Sequence, residues 1–225
     1  MKNRYMACLA PVALAALLAS TGCVPLVLGG AAVATGTTIS TMTDRRSVGT
    51  VVNDEVLESR VMRSIDAALG SEVDRHITAT SYSGKVLLTG EVATEDARQK
   101  ALAATQKTQD VVNVINELTV GESAGIQQRL RDSALATKVR GKILATEDVP
   151  LNQMKVTVDR DVVYLCGLLS SSENRKACET AAAVPGVTRV VSYATILSEE
   201  RMAQIRKDLE EARKRSQEAA RNNQP

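Results

Sequence analysis

The sequence has no tryptophan, no phenylalanine and only four tyrosines, so any hydrophobic core must be built from valine, leucine, isoleucine and alanine. Such a chain has no aromatic platform on which unpaired bases could stack, and nucleic acid is excluded as an expected partner. Histidine is scarcer still, with His76 the sole example. A Ser-His-Asp arrangement would have to be built around that one residue at the predicted start of a strand, and no Gly-x-Ser-x-Gly turn accompanies it. Enzymatic activity is therefore not expected. The four cysteines, Cys8, Cys23, Cys166 and Cys178, are too few and too scattered for a disulfide framework, and with the single histidine they lack the spacing of a zinc site. No glycine-rich loop followed by lysine is present to hold a phosphate, so neither a metal nor a cofactor is expected. Net charge is also nearly absent. The formal value of +2 falls to neutrality once Lys2 and Arg4 are removed, so attraction to anions must come from a local patch.

The N-terminus is where apolar residues are concentrated. Met1 to Arg4 is a short basic segment, Leu9 to Ala19 is an apolar run of signal-peptide length, and Ser20-Thr21-Gly22-Cys23 follows. Small residues ending at a cysteine resemble a bacterial lipobox, with Ser20 standing where Leu is usual. This implies cleavage before Cys23 and acylation of its thiol and new amino terminus. Cys8 is the weaker candidate, because almost no apolar segment precedes it. The competing expectation is an uncleaved membrane anchor, since no charge occurs from Leu9 through Thr43; Pro25, Gly29, Gly30 and Gly36 argue against a single helix there. Several acyl chains on one cysteine would give firm anchoring, which a single chain does not. Val24 follows Cys23 where an Asp would signal retention at the inner membrane, so the expected location is the outer membrane of a Gram-negative bacterium, facing the periplasm.

The remainder repeats itself. Leu57 to Val61 and Ile65 align with Leu135 to Val139 and Ile143; Val86-Leu87-Leu88-Thr89-Gly90 aligns with Val163-Tyr164-Leu165-Cys166-Gly167; Val111 to Ile115 aligns with Val187 to Val191. In the first copy, Leu57, Val61, Ile65 and Leu69 recur at helical spacing behind Asn53 or Asp54 as a cap. A strand is predicted at Ile77–Ser81, then a Ser83-Gly84 turn into Lys85–Val92, a helix from Thr94 to about Thr108, and a last strand at Val111–Val120. The second copy has the same order at Ser133–Ala145, Lys155–Val158, Val162–Leu169, Ser172–Ala183 and Val187–Leu197. The predicted class is α+β, with each unit placing two helices on one face of a three-stranded sheet. The expected division is a signal peptide at 1–22, the lipidated cysteine and a linker at 23–50, domains at 51–120 and 126–198 joined by a short linker at 121–125, and a charged helical or disordered tail at 199–225.

The repeated unit resembles the BON domain, and the whole chain resembles the dual BON-domain outer-membrane lipoproteins of the DolP (YraP) type. The motifs that carry the resemblance are Asp44 to Thr50, where Arg45 replaces a frequent Pro, Gly84 to Leu88, Thr137 to Arg140, and Pro185-Gly186-Val187. The resemblance implies an αββαβ fold in each half, acyl anchoring, and binding of anionic phospholipid by the first helix of the second domain, here Leu135, Thr137, Lys138, Val139 and Arg140. Ala134 departs from members that place Trp at that position. The residues alone are compatible with this, because Arg129, Arg131, Lys138, Arg140 and Lys142 cluster around that helix whereas the first copy carries Glu55, Glu58 and Asp66. The expected role is support of outer-membrane integrity through an anionic membrane surface. The alternative is an accessory factor that docks on the outer-membrane protein assembly machinery. A disulfide between Cys166 and Cys178 is left open for an oxidising compartment. Strand alternation argues against it, because it puts Cys166 on the sheet face opposite the helices and leaves Cys178 as a small buried apolar residue.

Overall fold

The computed structural model describes residues 45–46 and 48–222, so the expected signal peptide, Cys8 and Cys23 lie outside the described residues. The first unit runs α1 (Val48–Leu69), β1 (Arg75–Tyr82), β2 (Lys85–Val92), α2 (Glu95–Gln106) and a final strand in two segments, β3 (Asn113–Asn116) and β4 (Thr119–Val120). The second runs α3 (Ile126–Leu144), β5 (Met154–Asp159), β6 (Val162–Leu169), α4 (Ser171–Ala182), β7 (Arg189–Ser192) and β8 (Thr195–Ile196), and a helix α5 (Glu199–Asn222) follows it. In each unit the central strand, β2 or β6, is antiparallel to the strand before it and parallel to the two-part strand after it. The break falls at the same place in both copies. Asn116 Oδ1 accepts from Leu118 N, and Ser192 Oγ accepts from Ala194 N, so a side chain satisfies the amide where the ladder is interrupted.

Helix spacing explains the cores. Leu57, Val61 and Ile65 face inward from α1 and meet Val86, Leu88 and Val92 of β2 with Ala97 and Ala101 of α2. In the second unit Leu135, Val139 and Ile143 meet Val163, Leu165 and Leu169 with Ala177 and Ala181. Thr94 caps α2 by accepting from Ala97 N, and Ser170 caps α4 in a capping box with Glu173. Small alanines on α2 and α4 let these helices lie close to their sheets. Gly90 and Gly167 occupy equivalent positions on the two central strands, where a Cβ would come 1.9 Å from His76 O and 2.5 Å from Gln153 O. Only glycine permits that approach.

The expectation that Asn53 or Asp54 caps α1 is corrected, because the helix begins earlier, at Val48. Asp54 is buried on the second turn and reaches the β1–β2 hairpin instead, accepting from Ser81 Oγ (2.7 Å), Ser83 N (2.8 Å) and Gly84 N (3.0 Å). Ser83 and Gly84 both have positive φ, 54° and 76°, the geometry of a tight two-residue hairpin turn. The second copy uses the same device without glycine: Arg160 and Asp161 have φ of 45° and 62°, and Asp132 accepts from both amides at 3.2 and 3.0 Å. A carboxylate on the first helix of each unit thus fixes the turn of its hairpin.

The sheet faces turned away from the helices are not left to solvent. Tyr82 and Leu87 of the first unit pack with Tyr164 and Cys166 of the second, and Ile115, Val191 and Tyr193 pack against this third cluster. Polar pairs frame it. Thr80 and Thr157 hydroxyls meet at 3.0 Å, Lys155 Nζ pairs with Glu58 at 2.7 Å, Lys85 Nζ donates to Thr195 Oγ1 at 3.1 Å, and Glu117 accepts from both Tyr164 and Tyr193 hydroxyls. Burial and the Glu117 charge push both tyrosines up to about 12. The segment before α1 is tied to the second unit too, since Arg45 makes a two-pronged pair with Glu173 and donates to Leu168 O.

Candidate functional site

The residues expected to meet lipid all lie on α3, but the helix divides them. Leu135 and Val139 are 6% and 0% exposed and belong to the second core, so they cannot reach a membrane surface without unfolding the domain. That part of the expected set is corrected. Thr137 and Lys138 are on the exposed side. Arg140 is exposed as well, and its guanidinium donates to Val156 O, which ties it to the edge strand β5.

The outward face of α3 is filled by other residues. Ile126, Leu130 and Leu144 are 69%, 65% and 73% exposed, and with Ala134, Thr137 and Gly141 they recur at helical spacing as one stripe opposite the buried face. Arg131, Lys138 and Lys142 flank the stripe on one side, and Arg129 and Arg140 on the other. The single acid of the helix, Asp132, is turned inward onto the Arg160-Asp161 turn. Among the described residues no carboxylate pairs with Arg131, Lys138 or Lys142. α3 therefore presents apolar surface beside uncompensated positive charge, whereas α1 exposes Glu55 and Asp66 among its cations. Sequence reasoning missed Ile126 and Leu130 because it started the helix at Ser133. Their spacing to Ala134 and Thr137 was the available signal.

Cys166 and Cys178 are both free thiols, not joined in a disulfide. Cys166 sits in the cluster between the sheets and Cys178 packs on the helix side of β6, so the sheet separates them. Burial pushes the Cys166 thiol up to about 11, which makes it a poor nucleophile.

His76 lies near the start of β1 and meets Glu91 of β2 and Asp159 of β5, ligand atoms of the three residues all falling within 4.8 Å of one another. Glu91 is fully buried, pairs with Arg160 through Oε1 and accepts from Ala124 N at 3.0 Å through Oε2. Burial first, then the charges of Glu91 and Asp132, raise Asp159 to about 6 against the opposing pull of His76 and of the Gly90 amide. The cluster borders a cleft of about 610 Å³ between the two units, lined also by Glu58, Arg129, Arg140 and Lys155.

Two tandem αββαβ units, the second with a cationic and apolar outward face on its first helix, define a two-module α+β protein. The BON domain family model matches residues 53–122 and 131–198, and the chain belongs to the BON-domain family as a dual-domain protein of the DolP type. It is 34% identical over 182 residues to Outer membrane lipoprotein DolP of Haemophilus influenzae (strain ATCC 51907 / DSM 11121 / KW20 / Rd), an alignment covering 79% of this chain and 92% of that protein. It is 35% identical over 148 residues to the 21 kDa hemolysin of Actinobacillus pleuropneumoniae, covering 66% of this chain and 76% of that one. Neither relative is named as an enzyme. Among solved structures, the C-terminal domain of CdsD, the structural protein of the type III secretion system of Chlamydia trachomatis, aligns over 61% of this chain and 98% of its own, with 10% identity and a TM-score of 0.27.

Proposed function

We propose that this protein is an outer-membrane lipoprotein, held by acyl chains on Cys23 and facing the periplasm, whose second domain engages anionic phospholipid through the outward face of α3 and so supports envelope integrity. The observation that carries this reading is the composition of that face: Ile126, Leu130 and Leu144 exposed beside Arg131, Lys138 and Lys142, with the only acid turned inward. Apolar side chains suit the acyl boundary, and cations suit the phosphates above it. Each lysine or arginine held at an anionic surface contributes roughly 1 kcal/mol, so three orient a protein that lipid chains already anchor. The similarity to an outer-membrane lipoprotein over most of both chains supports the location. Among the described residues no helix is long and apolar enough to cross a membrane.

Co-sedimentation of the fragment from Asp44 onward with phosphatidylglycerol-containing or purely zwitterionic vesicles tests this reading at low and high salt. Binding is expected only to the anionic vesicles, weakening as salt rises. The pair Arg131→Glu and Lys138→Glu should lower that binding by more than about tenfold, since each reversal turns an attraction into a repulsion. The pair Leu135→Ala and Val139→Ala should act on stability instead. Equal binding to both vesicle types, or binding untouched by the charge reversals, would remove α3 as the lipid surface and bring docking on the outer-membrane protein assembly machinery forward.

A further inference from the structure

We propose that His76, Glu91 and Asp159 form a binding site for a divalent transition-metal ion, zinc by donor chemistry, that staples the first domain to the second. The residues come from three strands: β1 and β2 of the first domain and β5 of the second. Sequence spacing gave no hint of them, because only the packing of one domain on the other brings Asp159 to the other two.

Each donor is presented as a ligand. His76 Nδ1 is enclosed by protein, has no hydrogen-bond partner among the described residues, and stands 3.6 Å from Glu91 Oε2. An imidazole nitrogen held without a partner beside carboxylates is the arrangement a cation completes. Glu91 gives Oε1 to Arg160 and takes the Ala124 amide on Oε2, which leaves a second lone pair on the oxygen nearest His76. Asp159 is 8% exposed and pairs with no lysine or arginine among the described residues.

Charge points the same way. Glu91, Asp159 and Asp132 are all buried, and Arg160 is the one arginine bonded to any of their carboxylates among the described residues. Buried negative charge in excess of its cations is costly unless a proton or a metal ion offsets it. One nitrogen and two carboxylate oxygens suit zinc, whereas an all-oxygen set would suit calcium or magnesium. The ligand atoms already lie within 4.8 Å of one another, so small side-chain rotations bring them to a common ion, and the cleft beside them admits water to a fourth position. Such an ion would hold β5 against β1 and β2, the same junction that Lys155–Glu58 and Arg160–Glu91 bridge.

The test uses the full chain in detergent micelles, purified without a histidine tag and stripped with chelator. Zn²⁺ is titrated by calorimetry, Co²⁺ is followed by its visible absorption, and Mg²⁺ serves as the hard-cation control. One zinc per chain is expected, with a rise in melting temperature and no response to Mg²⁺. His76→Gln and Asp159→Asn should each weaken zinc binding by about tenfold or more and abolish the rise in melting temperature, while Cys178→Ser should leave both unchanged. Circular dichroism checks that the variants fold, and Asp159→Asn, which removes a buried charge, keeps the test valid if His76→Gln does not. Absence of saturable zinc binding overturns the proposal, as do unchanged affinity in folded His76→Gln or Asp159→Asn, loss of binding in Cys178→Ser, and preference for Mg²⁺.

Discussion

Replacing Asp54 by alanine is expected to cost the protein about 3–5 kcal/mol of folding stability, although the residue lies on a helix and touches no ligand surface. Asp54 accepts from Ser81 Oγ, Ser83 N and Gly84 N, and Arg46 Nη1 lies 3.0 Å from its Oδ2. Burial pushes its carboxyl up, but those hydrogen bonds and the arginine outweigh it and hold the group below the ordinary carboxylate range. Its stabilising contribution is therefore present above the unfolded carboxylate pKa and lost as pH falls through the lower folded value. Alanine leaves the two turn amides without their acceptor and removes the Asp54 carboxylate from the Arg46 guanidinium, which is 7% exposed and stacked on the Tyr82 ring. Urea denaturation of the variant should show the loss as a lower midpoint with an unchanged slope. Asp54→Asn should lose less, because one oxygen still accepts. A change within about 1 kcal/mol for alanine would mean that Ser83-Gly84 forms its turn unaided and that the helix-to-turn contact is incidental.

That contact also marks where sequence reasoning stopped. Leu57, Val61 and Ile65 are legible because their spacing is local, and the same holds for Thr94 before a helix and Ser83-Gly84 between strands. Asp54 resembled a cap for the reason that a small acid ahead of an apolar run usually is one. Its true partner, the hairpin turn, is distant in sequence, and only its repetition as Asp132 against Arg160-Asp161 carried the information. The run Val86-Leu87-Leu88 predicts a strand, and the pair of helices predicts a cover for only one of its faces. A continuous apolar strand more often has both faces buried, and here the second face packs on Tyr164 and Cys166 of the other domain. On α3, Leu135 and Val139 share the core spacing with Ile143, which outweighs the lipid contact that family resemblance implied for them. Lys138 remains on the surface because its position on the helix falls away from that core. Spacing therefore located the cores, and a helix start at Ser133 leaves Ile126 and Leu130 out of the surface stripe.

Asp159→Asn is expected to stabilise the protein at pH 8 by about 3 kcal/mol and to leave it almost unchanged near pH 4, in buffers containing chelator. Burial, then Glu91 and Asp132, raise this carboxyl from 3.8 to about 6 in the folded state. A group raised on folding favours the folded state in its neutral form, so its contribution is complete below the unfolded value and disappears as pH climbs through the folded one. Wild type should accordingly lose stability relative to the variant between about pH 4 and pH 6 and run parallel to it above pH 7. The sense is opposite to that of Asp54, so the raw stability curve of the wild type mixes the two, and only the difference between variant and wild type isolates Asp159. Asparagine keeps an oxygen for the Gly90 amide and adds no charge beside Glu91, which makes it the matched neutral form. Thermal unfolding of both proteins across pH 4 to 8 checks the prediction. A constant difference at every pH would show that Asp159 titrates normally and that Glu91 and Asp132 are screened from it. A difference that grows as pH rises, and shrinks in wild type when Zn²⁺ replaces the chelator, would show that a proton and a metal ion relieve the same buried charge.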